Sequence, residues 1–212
     1  MLEVRDLVKI YARGLLQRKP TVALDGISFC VAPQEMIALV GESGSGKTTT
    51  AHIILRLTPP TSGQVLFQGK DIQGFHGSEL KKYWREVHGV FQDPYAAFNP
   101  MYKADRIIYQ CFKLLSDRFS DKKKVVEEAL AKVGLRPKDV LGKYPHQLSG
   151  GQMQRLMIAR CFVLRPKLIV ADEPISMVDA SVRVGILKLF EELRQSFGTA
   201  VIFITHDIGL AY

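Results

Sequence analysis

The sequence predicts an α/β fold whose core strands are mainly parallel, with a helical lobe inserted among them. Three features predict it. The apolar run Met36-Ile37-Ala38-Leu39-Val40 leads through a glycine-rich turn into residues 49–55, which can be helical. Leu168-Ile169-Val170-Ala171 and Ala200-Val201-Ile202-Phe203-Ile204 are unbroken apolar runs, the pattern of strands covered on both faces. Between residues 95 and 165 the texture turns helical.

Residues 2–11 read as a first strand, a polar and basic loop follows over 12–20, and Ile27, Phe29 and Val31 alternate along a second strand. Tyr11, by spacing alone, is an aromatic at a strand end. Gly41-Glu42-Ser43-Gly44-Ser45-Gly46-Lys47-Thr48 then stands between strand and helix. Glycines there let successive N–H groups turn inward, and the helix N-terminus adds partial positive charge. Lys47 can reach β- and γ-phosphates, and the Thr48 hydroxyl can join the shell of a Mg²⁺ ion. The stretch predicts binding of a nucleoside triphosphate.

The helix should stop before Pro59-Pro60, residues 63–70 read as a strand entering a turn, and Ser78 can cap a short helix through Trp84. Residues 87–92 are extended again. Gln92 precedes the turn signal Asp93-Pro94, which puts its side chain where a buried strand leaves the core. Asp121 can cap a helix carrying Val125, Val126, Ala129, Leu130 and Val133, closed by Gly134. Leu148-Ser149-Gly150-Gly151-Gln152 opens a helix with Met153, Met157, Cys161 and Leu164 at helical spacing. Ser-Gly-Gly before a helix is a second anion-binding end, although most such triplets, taken alone, are ordinary N-caps with flexible glycines.

Asp172 and Glu173 end the next strand and, by alternation, point in different directions. Asp172 can hold Mg²⁺ through water, and Glu173 can polarise an attacking water. Ser176-Met177-Val178-Asp179 leads into a helix with Ile186, Phe190, Leu193 and Phe197 on one face, closed by Gly198. His206 follows the last strand, where open α/β sheets gather their ligand-binding loops.

The 212 residues, 47% apolar and 24% charged, suit one large globular domain. No apolar run reaches the 18 or so residues that span a bilayer, and the N-terminus lacks the pattern of a signal peptide. Cys30, Cys111 and Cys161 stand far apart, as in a reduced cytosolic protein. The net charge of +8 is scattered except for Lys122-Lys123-Lys124 beside Glu127 and Glu128, which reads as a solvated face. No nucleic-acid partner is expected.

The order of these motifs resembles the nucleotide-binding subunit of ABC transporters over nearly the whole chain, and Leu148-Ser149-Gly150-Gly151-Gln152 is specific to it. Phe91-Gln92-Asp93-Pro94-Tyr95-Ala96-Ala97-Phe98-Asn99-Pro100, with the long insert after Tyr11, resembles the importer branch serving oligopeptides, dipeptides, nickel and oligosaccharides. Within it the chain is similar to the second of the two ATPase subunits. The resemblance implies a phosphate-loop NTPase with a mainly parallel core sheet, an N-terminal antiparallel β subdomain and an inserted helical lobe. Residues 1–94 and 166–212 would form the ATPase core and 95–165 the lobe. It also implies that elements following His206 in the family are missing here.

Its implied chemistry is ATP hydrolysis with Mg²⁺. Gly41, Glu42, Ser43, Gly44, Ser45, Gly46, Lys47, Thr48 and Thr49 would hold the nucleotide, and Tyr11 would stack on adenine. Thr48, Gln92 and Asp172 would serve the metal, Gln92 also the attacking water, Glu173 would be the general base, and His206 would contact the γ-phosphate. Leu148, Ser149, Gly150, Gly151 and Gln152 would act in trans on the site of a second ATPase subunit, identical or not, with Asp179 in the interface loop. Implied partners are two membrane permease subunits and an extracytoplasmic solute-binding protein, with the chain peripheral at the cytoplasmic face of the membrane. The family usually has Ser-Ala-Leu-Asp where this chain has Ser176-Met177-Val178-Asp179, a bulkier loop at the interface.

Two rival readings are outweighed. A cassette acting on DNA would be split by a coiled coil, and one acting on ribosomes would be duplicated; neither feature is present. A regulatory cassette that binds without hydrolysing would not need Glu173 and His206.

Overall fold

The computed structural model describes residues 1–12, 20–115, 119–176 and 178–207. Two four-stranded sheets form the frame. In the first, β1 (Leu2–Tyr11) lies antiparallel between β2 (Thr21–Val31) and β4 (Ser62–Phe67), which pairs with the short β5 (Lys70–Asp71). Leu2, Val4 and Leu7 of β1 face the core. The second sheet is parallel, in the order β3 (Met36–Val40), β8 (Ala200–Thr205), β7 (Leu168–Asp172) and β6 (Val87–Val90).

Alternation along β7 and β8 divides their apolar side chains between two cores. Leu168, Val170, Ile202 and Ile204 pack with the antiparallel sheet, with α1 (Lys47–Ile54) and with α2 (Gly77–Glu86). Tyr83 of α2 is fully buried there and donates its hydroxyl to the Ile54 carbonyl. Ile169, Ala171, Val201 and Phe203 pack the other way, against helices.

Those helices are α3 (Pro94–Ala97), through its C-cap Phe98, α4 (Arg106–Tyr109), α5 (Cys111–Leu114), α6 (Lys122–Lys132), α7 (Pro137–Val140), α8 (Gly150–Leu164) and α9 (Ala180–Phe197). The helices between residues 94 and 165 therefore share one apolar cluster with the sheet. The anticipated caps hold: Asp121 accepts from the Lys124 N–H, and Gly134 and Gly198 close α6 and α9 at φ +69° and +68°. Ser78 does not cap α2. The helix starts earlier, where the His76 carbonyl accepts from the N–H groups of Glu79 and Leu80, and it runs two residues past Trp84.

Register brings the strand ends together. Val40 pairs with Thr205, Asp172 with Ile204 and Ala171 with Val90. The chain leaves all four parallel strands at one edge, the edge at which residue 41 onward, Gln92, Glu173 and His206 lie.

Phe190 joins α9 to β8 by an edge-on contact with Phe203, with ring centroids 5.1 Å apart, and is fully buried. Phe190→Ala should cost about 3–5 kcal/mol. Urea titration should show a lower midpoint with an unaltered slope; an unmoved midpoint would deny this contact its place in the core.

Candidate active site

The turn over residues 41–46 is shaped by its glycines. Gly44 and Gly46 take φ of +83° and +94°, and a Cβ on Gly46 would lie 2.3 Å from the Ala23 carbonyl oxygen. Gly46 is thus required by both torsion and space. No side chain caps α1, so N–H groups of its first turn are left for a ligand. Lys47 Nζ folds back across the turn, donating to the carbonyls of Gly41 and Glu42, each at 2.7 Å, and to Ser45 Oγ at 3.3 Å. The Thr50 hydroxyl is buried and donates to the Gly46 carbonyl at 3.1 Å.

A cleft of about 490 Å³ opens beside the turn. Ser43, Gly44 and residues 46–49 form one wall, and Gln92, Glu173 and His206 form the other. Glu173 is the centre of the second wall. Its Oε2 accepts from Gln92 Nε2 at 3.0 Å and its Oε1 lies 2.7 Å from His206 Nδ1. Its backbone is left-handed, φ +45°, a conformation that costs a non-glycine residue about 1–3 kcal/mol. Hydrogen bonds hold it: the Glu173 N–H donates to the Ile204 carbonyl, and the Glu173 carbonyl accepts from the Ser176 hydroxyl.

Asp172 lies inside the sheet edge, with only 5% of its surface exposed. Burial raises its carboxyl pKa and the neighbouring Glu173 adds to that, while hydrogen bonding to the Thr48 hydroxyl and the charges of His52 and Lys47 oppose it. A carboxylate desolvated in this way, beside a hydroxyl, suits a hard cation. Among the described residues no group of three or more His, Cys, Asp or Glu converges on one point. A cation here would complete its shell with ligand oxygens and water, as Mg²⁺ does.

Other anticipated residues lie apart. Tyr11, half-exposed, carries Lys9 Nζ 5.0 Å above its ring and does not line the cleft. Leu148 is buried, and Ser149 and Gln152 cap α8 reciprocally: Ser149 Oγ accepts from the Gln152 N–H at 3.2 Å, and Gln152 Oε1 from the Ser149 N–H at 2.9 Å. Asp179 precedes α9, exposed and without a side-chain cap. Val178 is turned into the core, while Met177 lies outside the described residues. The structure adds Ala23 and Thr50, which the sequence did not single out. Ala23 had no signal, since its contact with Gly46 is long-range; Thr50 could have been found at helical spacing from Gly46.

The profile of the family described as ABC transporter matches residues 24–176, which include the glycine turn, Gln92, Leu148 to Gln152 and both strand-end carboxylates. The chain belongs to that family. The ABC chain is 42% identical to the oligopeptide transport ATP-binding protein AppF of Bacillus subtilis, over 99% of its own length and 65% of the relative's. It is 38% identical to the di/tripeptide transport ATP-binding protein DppF of Pseudomonas aeruginosa, over 99% and 66%. It thus spans just under two thirds of those relatives. Its fold superposes on the ATP-binding cassette MJ0796, solved as a dimer in a post-hydrolysis state bound to ADP and Pi. The TM-score is 0.85 at 29% identity, covering 100% of this chain and 90% of that one.

The raised pKa of Asp172 means that the folded chain holds this proton more tightly than the unfolded chain does. Stability should therefore fall as pH rises from the ordinary carboxylate value through the raised one, and stay lower at neutral pH. Asp172→Asn should raise the denaturation midpoint of the ligand-free ABC chain at pH 7 and flatten that pH profile. A lower midpoint at pH 7 would show that the carboxylate stabilises the fold.

Proposed function

We propose that the chain is the ATP-binding and ATP-hydrolysing subunit of an importer for peptides, with nickel or oligosaccharides as the other solutes of that branch. The observation that carries this reading is the Glu173 carboxylate, held by Gln92 and His206 across a cleft from Lys47 and the glycine turn. The names of AppF and DppF support peptides as the solute class. The proposed layout is an ATPase core of residues 1–94 and 166–212 and a helical lobe of 95–165.

ATP would enter with its phosphates on the glycine turn. Lys47 would exchange the carbonyls of Gly41 and Glu42 for β- and γ-phosphate oxygens, and the open N–H groups of α1 would take others. Thr48 and Asp172, with Gln92, would hold Mg²⁺, whose charge offsets that of the phosphates. Glu173 would accept a proton from water attacking the γ-phosphate, while His206 donates to a phosphate oxygen. Gln92 and His206 both engage Glu173 here, so each would have to yield part of that contact to substrate. Tyr11 would receive the adenine.

A second ATPase subunit, identical or related, would present its own residues 148–152 to the bound phosphates, with Asp179 at the joint. In this chain the Ser149 and Gln152 side chains are already tied in the cap, so the backbone of Gly150 and Gly151 would make the first contact in trans. Among the described residues no helix is long and apolar enough to cross a membrane. Two permease subunits would supply the channel and an extracytoplasmic binding protein the solute, with this chain peripheral on the cytoplasmic face.

Glu173→Gln keeps the hydrogen bond from Gln92 and removes the basic oxygen. Hydrolysis should fall by roughly 10²–10⁴ while ATP binding persists. In Mg-ATP the variant should sediment as a pair, and without nucleotide as single subunits. Hydrolysis at the unaltered rate would assign the base elsewhere. Lys47→Ala should weaken ATP binding by about 1.5–3 kcal/mol, and calorimetry showing an unchanged Kd would remove Lys47 from the site.

A further inference from the structure

Helix α8 meets strand β6 and the residue after it through two part-buried polar contacts. Arg160 Nη2 lies 3.3 Å from His88 Nε2, and Gln154 Nε2 donates to the Phe91 carbonyl in a long hydrogen bond of 3.4 Å. Gln154 is 1% exposed, and its Oε1 has no partner. Burying an unpaired amide oxygen is unfavourable, and a methionine of similar shape would avoid it. Stability of the fold therefore does not account for a glutamine here.

Its position does. Gln154 stands about one turn beyond the Ser149 cap, so it moves as a rigid unit with the Ser149-Gly150-Gly151 end. Phe91, whose carbonyl it holds, is the residue before Gln92, and Gln92 holds Glu173. We infer that Gln154 is a positioning residue that couples the N-terminal end of α8 to Gln92 and through it to the Glu173 carboxylate. The inference rests on the proposed ATPase reading. When the α8 end engages a second subunit's nucleotide, the Gln154 amide draws on the Phe91 carbonyl and shifts Gln92 relative to Glu173. The long, half-satisfied contact is suited to such a shift, since it leaves Gln154 able to move without losing a strong bond.

A double-mutant cycle on the assembled complex of full-length subunits tests it. Gln154→Met should leave the denaturation midpoint as high or higher and preserve the KM for ATP while lowering kcat about 3- to 30-fold. Gln154→Leu, which removes the same donor with another shape, should do likewise and guards against a folding defect peculiar to one variant. In a Gln92→Ala background the same changes should lower kcat no further. An unchanged kcat in the single variants, or an equal fold-loss in both backgrounds, overturns the role of Gln154 while leaving the ATPase reading intact. If Gln92→Ala alone leaves hydrolysis unaltered, the assignment of Gln92 falls and the inference with it.

Discussion

Strand β7 is buried at every position, with β6 on one side and β8 on the other, and that burial governs where charge can stand in this molecule. A polar group inside the strand would lose water without recompense, so the carboxylates appear only where the strand ends. Alternation then separates them. Asp172 completes the strand and remains desolvated beside Thr48, whereas Glu173 turns out of it toward Gln92 and His206. The same pairing that buries β7 aligns β3 and β8 with it, which delivers the glycine turn and His206 to the same edge.

The departure of Glu173 from the strand is unfavourable in itself. Its left-handed backbone is tolerated because Ile204 and Ser176 hold both of its peptide groups. In exchange its carboxylate stands across the cleft from the glycine turn, with both oxygens already occupied. The left-handed Glu173 and the desolvated Asp172 thus stand side by side at one edge, with an apolar core on either side of the sheet.

Much of this was legible in the sequence, for a physical reason. Glycine turns, buried strands and strand-end carboxylates are local patterns, so residues 41–48, Asp172, Glu173 and His206 could be placed before any fold was known. Boundaries decided by backbone geometry were less legible. Ser78 has the chemistry of a cap, but the His76 carbonyl starts α2 two residues earlier. Long-range contacts were not legible at all. Val178 belongs to a loop that the family resemblance puts at an interface, yet its own side chain is buried in the core. Gln154 carries no local signal, and only the packing of α8 beside β6 gives it a partner.

The folded-back posture of Lys47 has a kinetic consequence. Its ammonium bonds to the carbonyls of Gly41 and Glu42, so the turn is tied together across its own width. In the proposed reading, Lys47 would exchange those carbonyls for phosphate oxygens in a turn whose glycines already set its path. Capture would then be set by diffusion and charge, and the differences between tight and weak nucleotides would be carried by their escape rates.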